Sequence, residues 1–280
     1  MAPIGNKLDV GVVIPLFDKS STLEACVLSI QAQSVAVDQI VIIDDRSRDD
    51  SYDKALALAA QDPRILVVRQ PHNGGAARAR NAGASLVRAE WLAFLDADDS
   101  WEPGFIAEMS SAVLQENADF AGCGRLQIDR DSAENFILPG IPDGAVVPMD
   151  GAFWTAFNGY YPLNSSANLM RHSLFDAAGG FPEMMRQRED HALWARLWGR
   201  GRCVFVNTVL SRIEKAPTGL SRRPPRGRDL VKMILVLTAV LLYAASRGRA
   251  GSWTLFRYLC RLTPRFARSY ASHSLRRLAQ

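Results

Sequence analysis

Four short apolar segments, each followed by a helical pattern, constrain the fold of this chain more than any other feature. They span residues 10–16, 39–43, 64–70 and 90–95, and the segments between them have the apolar periodicity, capping residues or alanine content of helices. Strands that alternate with helices predict a parallel sheet that is covered on both faces. With 280 residues, 48% of them hydrophobic, the chain can bury such a core in one α/β domain with an appendage.

Acidic residues follow two of the four predicted strands. Asp44 and Asp45 end the second strand, and LDADDSW places Asp96, Asp98 and Asp99 directly after the fourth. Ligands of open α/β sheets bind at this carboxyl edge, where an acid can accept hydrogen bonds from a ribose or a base. Three adjacent carboxylates need a counter-charge, and Mg²⁺ or Mn²⁺ prefers one or two carboxylates plus substrate phosphates. The pattern predicts a nucleotide and metal site; an Asx turn and a solvated acidic turn are the structural alternatives.

Two other protein families carry acids in similar places. DADDS, residues 96–100, comes close to the D-x-D-x-[TV] motif of haloacid-dehalogenase-type phosphatases. That motif opens its domain, whereas three strand–helix units precede this one. The pair Asp44 and Asp45 is similar to the acidic pair of response regulators, which are shorter and carry their phosphoacceptor on a later strand. The position of each motif along the chain therefore argues against both families.

A glycine- and arginine-containing segment precedes the fourth strand. NGGAARARN, residues 73–81, opens a helix in which two glycines allow close backbone approach. The helix N-terminus, together with Arg78 and Arg80, favours a phosphate ligand. No Gly-Lys-Ser/Thr follows, so the segment is not a P-loop. Close helix packing through the alanines is the alternative.

A later helix predicts a general base. In QREDHALWARLW, Asp190 lies on one helical face with Leu193, Trp194 and Leu197, at spacings of three, four and seven positions. Because the rest of that face is apolar, Asp190 begins a buried stripe, and an isolated buried carboxylate is costly without a partner. Glu189 and Asp190 lie near the helix N-terminus, where the dipole favours their charged form. A fixed carboxylate is what a general base requires, and a helix cap is the alternative role.

Six segments in order resemble the family 2 glycosyltransferases of the GT-A fold. They are VVIPLFDKSSTLEACVLSIQAQS, IVIIDDRSRDDS, NGGAARARNAG, AFLDADDSW, NLMRHSLFDAAGGFPE and REDHALWARL, and they span residues 10–200. The resemblance implies a Rossmann-like, mostly parallel α/β domain over residues 1–215. It also implies an inverting transfer of a sugar from a nucleotide-sugar, usually a UDP-sugar, to an acceptor hydroxyl, with Mn²⁺ or Mg²⁺ as cofactor.

The resemblance also implies roles for individual residues. The donor-binding residues would be Pro15, Phe17 (stacked on the base), Asp18, Asp45, Arg80, Asp96 and Asp98. Asp96 and Asp98 would form the D-x-D motif, with Asp98 and Asp99 shared between the ribose and the metal. Asp190 would be the catalytic base, with Glu189 beside it. The chain departs from the family at Phe17-Asp18-Lys19, where Tyr-Asn-Glu is more common.

The net charge of +4 is distributed unevenly along the chain. From Arg222 onward, 13 Lys and Arg accompany one acid, so residues 1–221 carry a net charge of −8. Residues 216–228 have the composition of a linker, and residues 229–280 predict a basic helical region whose apolar stretch is too short to span a bilayer. We expect residues 222–280 to lie on an anionic membrane surface, or else to pack on the domain. Nucleic acid is not an expected partner, because the acidic body would oppose it.

Localisation and function follow from these features. Four scattered cysteines, and an N-terminus without the apolar stretch of an export signal, are typical of a cytoplasmic protein. The basic region predicts a peripheral position at the inner face of the cell membrane. The expected enzyme transfers a sugar to a cell-surface polysaccharide or glycolipid, on a lipid-linked acceptor. The alternative is a non-catalytic nucleotide-sugar-binding or scaffold subunit of a glycan assembly complex.

Overall fold

One mixed sheet organises the residues that the computed structural model describes, namely 7–149, 163–185 and 189–215. Its strands are β1 (Val10–Leu16), β2 (Gln39–Asp44), β3 (Ile65–Arg69), β4 (Trp91–Phe94), β5 (Ser100–Trp101), β6 (Phe120–Asp129), β7 (Ser132–Phe136), β8 (Val146–Pro148), β9 (Asn168–Arg171) and β10 (Cys203–Glu214). The described helices are α1 (Leu23–Gln31), α2 (Ser51–Ala59), α3 (Ala76–Ala84), α4 (Phe105–Gln115), α5 (His172–Ala178) and α6 (Glu189–Arg200).

The first four strands form the predicted parallel sheet. β1 pairs with β2 on one side and with β4 on the other, β2 pairs with β3, and all three pairs are parallel. The order β3-β2-β1-β4 means that the chain reverses its direction of travel across the sheet between β3 and β4. The loops after β1 and β4 therefore meet at a topological switch point, which is where such sheets bind ligands.

Beyond β4 the sheet becomes mixed. β9 lies antiparallel between β4 and β6, while β6 and β10 pair in parallel. The short strands β5, β7 and β8 add antiparallel to β10, β6 and β10. The α/β class is confirmed, and the parallel arrangement is confined to β1–β4 and to the β6–β10 pair. β7 and β8 lie in residues 129–150, which the Pro, Gly and Asp content predicted to be a surface loop.

The core lies on both faces of the sheet, as the continuous apolar runs require. Alternate residues of β1 divide between the faces: Val13 packs in the cluster that includes residues of α3, α5 and α6, whereas Val12 and Ile14 pack with residues of α1 and α4. All three β1 side chains are fully buried. β1 is therefore packed on both faces and paired with β2 and β4 at its sides, which fixes the position of its carboxyl end.

A double-glycine turn ends α5 and ties it to α3. Gly179 and Gly180 have φ values of 75° and 61°, which favour glycine, and they form the predicted stop after the short helix. The side chain of Asn81 on α3 brackets the next residue: Nδ2 donates to the carbonyl of Phe181 at 2.8 Å, and Oδ1 accepts from its N–H at 2.8 Å. The turn is thereby held against the helix that carries Arg80.

The predicted linker, 216–228, and the predicted basic region, 229–280, lie outside the described residues. Within the part of the chain that the structure covers, no helix is long and apolar enough to cross a membrane. Cys26, Cys123 and Cys203 are buried and unbridged.

Candidate active site

The end of β1 and the loop after it carry three of the predicted donor-binding residues. Pro15 lies in β1 opposite Ile43 of β2, and Phe17 exposes 37% of its surface at the carboxyl edge. The guanidinium of Arg48 lies 5.3 Å from the centroid of the Phe17 ring. One face of an exposed ring at this edge can stack on a base.

Asp18 joins the loops after β1 and β2. Its carboxylate accepts hydrogen bonds from Nε of Arg48 at 2.9 Å and from the Arg48 backbone N–H at 2.8 Å. The Arg48 guanidinium lowers the pKa of Asp18, so this acid stays ionised at neutral pH. The Asp18 N–H donates to Oγ of Ser47 at 3.1 Å. The two loops therefore form one connected surface beside Phe17.

Asp45, which directly follows β2, contacts the start of α3. Its two carboxylate oxygens accept the backbone N–H groups of Gly74 and Gly75, each at 2.7 Å. Gly75 precedes α3 with a φ of 87°. Asp45 thus holds the start of α3 from within the protein, at the place where the sequence predicts a nucleotide ligand. Asp44 makes a related local contact rather than the Asx turn itself: its Oδ1 accepts the N–H of Ser47, three residues on, at 3.1 Å.

The three acids after β4 have different environments. Asp99 is buried, and its two oxygens accept the Ser166 hydroxyl at 2.5 Å and the Glu214 backbone N–H at 3.0 Å. Burial, and then the charges of Asp96 and Asp98, raise the pKa of Asp99 well above its usual range. Asp96 and Asp98 are only partly buried. These two therefore offer their carboxylates to the site, while Asp99 supports the loop.

Each of the two accessible acids has a basic partner. Oδ1 of Asp96 accepts Nη2 of Arg80 at 2.6 Å, and Asp98 forms an ion pair with the ammonium of Lys19. Within the described ranges, no group of three or more His, Cys, Asp or Glu side chains is arranged to hold a metal ion. Two carboxylates are nevertheless what Mg²⁺ or Mn²⁺ uses when substrate phosphates complete its coordination. The donor set of Asp96 and Asp98 therefore fits a cation that arrives with a diphosphate.

Arg80 connects the acidic loop to the start of α6. It is 5% exposed, and its Nη1 donates to Oε1 of Glu189 at 3.1 Å, while Nη2 binds Asp96. Its guanidinium also lies 5.1 Å from the ring centroid of Phe181. Burial disfavours the charge of Arg80, but the charges of Asp96 and then Glu189 outweigh burial and raise its pKa. The arginine that the sequence assigned to a phosphate is therefore a buried bridge between two carboxylates.

Asp190 lies next to this bridge, at the second position of α6. Leu193, Trp194 and Leu197 are all buried, which confirms the predicted apolar stripe, and Asp190 itself is partly buried. Its Oδ1 accepts the His191 N–H at 2.8 Å. Burial, and then the charge of Asp190, raise the pKa of Glu189. The structure thus brings Glu189 and Asp190 to the edge that holds Asp96.

The sequence analysis did not identify two residues of this region. Ser166 accepts the Asp96 N–H at 3.0 Å and donates to Asp99, so that it fixes the acidic loop from the segment before β9. Arg125 on β6 is buried, and its guanidinium lies 4.3 Å from the ring centroid of Phe136. Burial lowers the pKa of Arg125 to about 10. Only its position directly after the buried run of residues 120–124 could have singled it out.

Comparisons with known proteins give the chain a family. The profile of glycosyl transferase family 2 matches residues 11–180. Glycosyltransferase GlyG of Streptococcus pneumoniae is 33% identical over 110 residues, which cover 39% of this chain and 36% of GlyG. The Escherichia coli enzyme WfaP, a UDP-Glc:alpha-D-GlcNAc-diphosphoundecaprenol beta-1,3-glucosyltransferase, is 27% identical over 192 residues, which cover 69% of this chain and 71% of WfaP.

A solved structure has the same fold. TarS 1–349 of S. aureus in complex with UDP-GlcNAc aligns with a TM-score of 0.66 and 14% identity, over 84% of this chain and 66% of that one. The match with GlyG, and that with YibD of E. coli at 37% of its length, span about a third of those relatives. The family match covers more than half of this chain, and the protein belongs to glycosyl transferase family 2.

Proposed function

We propose that this protein is an inverting, divalent-metal-dependent glycosyltransferase that moves a sugar from a UDP-sugar to an acceptor hydroxyl in cell-surface polysaccharide or glycolipid biosynthesis. The observation that carries the proposal is the buried bridge through Arg80. It places the accessible acid Asp96 and the helix start at Glu189 and Asp190 at one edge of the sheet. A donor-binding acid and a base at the same place are what the transfer of a sugar from a diphosphate to a hydroxyl requires.

The donor side is proposed to bind UDP. Phe17 offers an exposed ring for the base, and Asp18 beside it offers an ionised carboxylate for donors on the base or ribose. Pro15 and Asp45 would shape the pocket, Pro15 through β1 and Asp45 by fixing the start of α3. A UDP-sugar is further supported by the name of WfaP, which specifies UDP-Glc, and by the UDP-GlcNAc complex of TarS.

The proposed metal is Mn²⁺ or Mg²⁺, held by Asp98 with Asp96. When bound, such an ion supplies positive charge that stabilises the diphosphate as a leaving group. Asp99, the second ligand that the sequence predicted, would have to give up its bonds to Ser166 and Glu214 to reach the ion. We therefore assign Asp99 to holding the acidic loop and Asp98 to the cation.

Asp190 is proposed as the catalytic base. Its carboxylate would accept the proton of the acceptor hydroxyl while the hydroxyl oxygen bonds to the anomeric carbon and the bond from that carbon to the diphosphate breaks. One base on the face opposite the leaving group gives inversion. The N-terminus of α6 favours the ionised form of Asp190, and the bond from Arg80 to Glu189 holds that helix start in place.

The test is the substitution Asp190→Asn. We expect UDP release from the best of a panel of UDP-sugars to fall by about 10²–10⁴, because a general base contributes that much. UDP and Mn²⁺ binding, measured by calorimetry, should stay unchanged. Asp176→Asn is the matched control, since Asp176 is an exposed acid on α5.

Two results would contradict this proposal. Full turnover by Asp190→Asn would exclude Asp190 as the base. A wild-type protein that binds UDP and Mn²⁺ but turns over no UDP-sugar would favour the scaffold alternative. That alternative shares the donor site but needs no base.

The acceptor is proposed to be lipid-linked, with residues 222–280 on an anionic membrane. The support is the cluster of arginines at positions 222, 223, 226 and 228, before an apolar stretch. The name of WfaP, which includes a diphosphoundecaprenol acceptor, points the same way. The full chain should pellet with anionic vesicles and not with zwitterionic ones, and replacing the four arginines by glutamine should reduce pelleting. Equal pelleting with both vesicles would contradict the proposal and the peripheral cytoplasmic location that follows from it.

A further inference from the structure

Lys19 is a basic residue that pairs with an acid of the candidate active site. It lies in the loop between β1 and α1, and its ammonium pairs with the carboxylate of Asp98 in the loop after β4. The two side chains are 30% and 20% exposed, so the pair is partly shielded from water. Because β1 and β4 are neighbours at the switch point, this pair spans the cleft between the predicted base-stacking loop and the acidic loop.

The backbone of Lys19 is held by hydrogen bonds of its own, independent of the ion pair that its side chain makes. Its N–H donates to Oγ of Ser51 at 2.8 Å, and its carbonyl accepts the N–H groups of Leu23 at 3.0 Å and Thr22 at 3.2 Å. The lysine stem has four rotatable bonds and ends in a compact charge with three donors. The ammonium can therefore change partners without any movement of the loop.

The other two acids of the cluster have partners of their own within the domain. Asp96 is paired with Arg80, and Asp99 is hydrogen-bonded by Ser166 and Glu214. Asp98 depends on Lys19 for its counter-charge. A divalent cation at Asp98 would repel the ammonium from this carboxylate, because two positive charges would then lie side by side.

We propose that Lys19 is the built-in counter-cation of the diphosphate site. It neutralises Asp98 when no metal is bound, so that this carboxylate does not repel the diphosphate, and a metal bound at Asp98 takes over that role. The proposal rests on the proposed function, which supplies the nucleoside diphosphate. Its consequence is that Lys19 makes UDP binding less dependent on the divalent metal than a neutral residue at the same position would.

The metal dependence of UDP binding tests this role without an activity assay. It is the ratio of the UDP dissociation constant in EDTA to that in saturating Mn²⁺, measured by calorimetry on the full chain. We expect Lys19→Met to raise the ratio about tenfold, because the loss of one charge pair in a partly buried site is worth about one decade of affinity. The increase should come from weaker UDP binding in EDTA, where Asp98 repels the diphosphate without a counter-charge.

Three further variants complete the design. Lys19→Gln should behave like Lys19→Met and guards against a folding defect, while Lys19→Arg keeps the charge and should restore the wild-type ratio. Lys54→Met is the matched control, since Lys54 is a more exposed lysine whose Nζ donates to the Ser20 carbonyl of the same loop. Lys54→Met should leave the ratio unchanged.

The outcomes separate this proposal from the proposed function. If Lys19→Met and Lys19→Gln keep the wild-type ratio within about twofold, or if Lys54→Met raises it equally, the role of Lys19 is overturned while UDP and metal binding stand. If the wild-type protein binds UDP neither with Mn²⁺ nor without it, the proposed function itself fails.

Discussion

The N-terminal part of the domain, residues 7–95, and the described residues from the acidic loop onward build their shares of the site in different ways. In the N-terminal part, polar groups meet across one strand–helix unit: Asp18 and Arg48 are 30 positions apart, and Asp45 and Gly74 are 29 apart. In the C-terminal part, Glu214 binds Asp99 from 115 positions away. The repeating strand–helix units therefore align the loops of the N-terminal part. The position of the later residues depends instead on how β9 and β10 return to the sheet.

The contact with the largest expected effect joins the two parts. Arg80→Met removes the buried charge that Asp96 and Glu189 share, and leaves both carboxylates without it. We expect the free energy of unfolding to fall by about 3–5 kcal/mol, because breaking a buried ion pair leaves an uncompensated charge. Urea unfolding measures this loss. The control is Arg78→Met, two positions away on the same helix. Arg78 makes an exposed contact with His72, so its replacement should cost far less. Equal losses in free energy of unfolding for Arg80→Met and Arg78→Met would mean that the Arg80 bridge does not stabilise the contact between the two parts.

A smaller effect is expected within the C-terminal part. Ser166→Ala removes the hydroxyl that donates to Asp99 and accepts the Asp96 N–H. The loss should be about 2 kcal/mol, since each buried group left unsatisfied costs about 1–3 kcal/mol. Ser34→Ala, at an exposed serine, is the control. A loss no larger than that of the control would mean that the acidic loop is held by the Glu214 bond alone.

The smallest effect is expected for a contact inside one unit of the N-terminal part. The side-chain hydrogen bond from Arg64 lowers the pKa of Asp62 well below its usual range, and Nη2 of Arg64 lies 2.7 Å from its Oδ2. The resulting stability is present above the unfolded-state pKa of about 3.9 and is lost as the pH falls towards the folded-state value.

The measurement for Asp62 is a pH series. Asp62→Asn should cost about 1 kcal/mol at pH 7, because the Asp62 carboxylate is buried but the side chain of Arg64 is 31% exposed and solvent screens the pair. The difference between variant and wild type in urea midpoint should shrink from about pH 5 to about pH 2 as Asp62 becomes protonated. A difference that stays constant over this range would assign the effect to the hydrogen bond with Gln31 rather than to charge.

Local sequence patterns predicted the elements that carry an apolar run, a glycine stop or a helical apolar stripe. The apolar runs of β1–β4, the Gly179–Gly180 stop and the stripe on α6 all appear in the structure where the sequence placed them. β5, β7 and β8 were not predicted. β5 has two residues, and β7 is largely exposed, so neither carries an apolar run or an alternation that periodicity could detect.

The sequence predicted which residues come together at this edge of the sheet but not which partners they have. Asp96, Arg80 and Glu189 do meet, as expected of ligands at one sheet edge. The sequence could not show that Asp45 would face two glycine N–H groups, or that Asp99 would face Ser166. Those pairings depend on which backbone groups lie opposite each acid after β9 and α3 have packed, and no spacing in the sequence encodes that.

The bond between the Glu214 N–H and Asp99 has a practical consequence. It places Lys215, the last described residue after β10, one peptide away from the acidic loop. An environment-sensitive fluorophore attached at position 215 would then report nucleotide arrival directly by its emission. That would allow donor screening before any acceptor is identified.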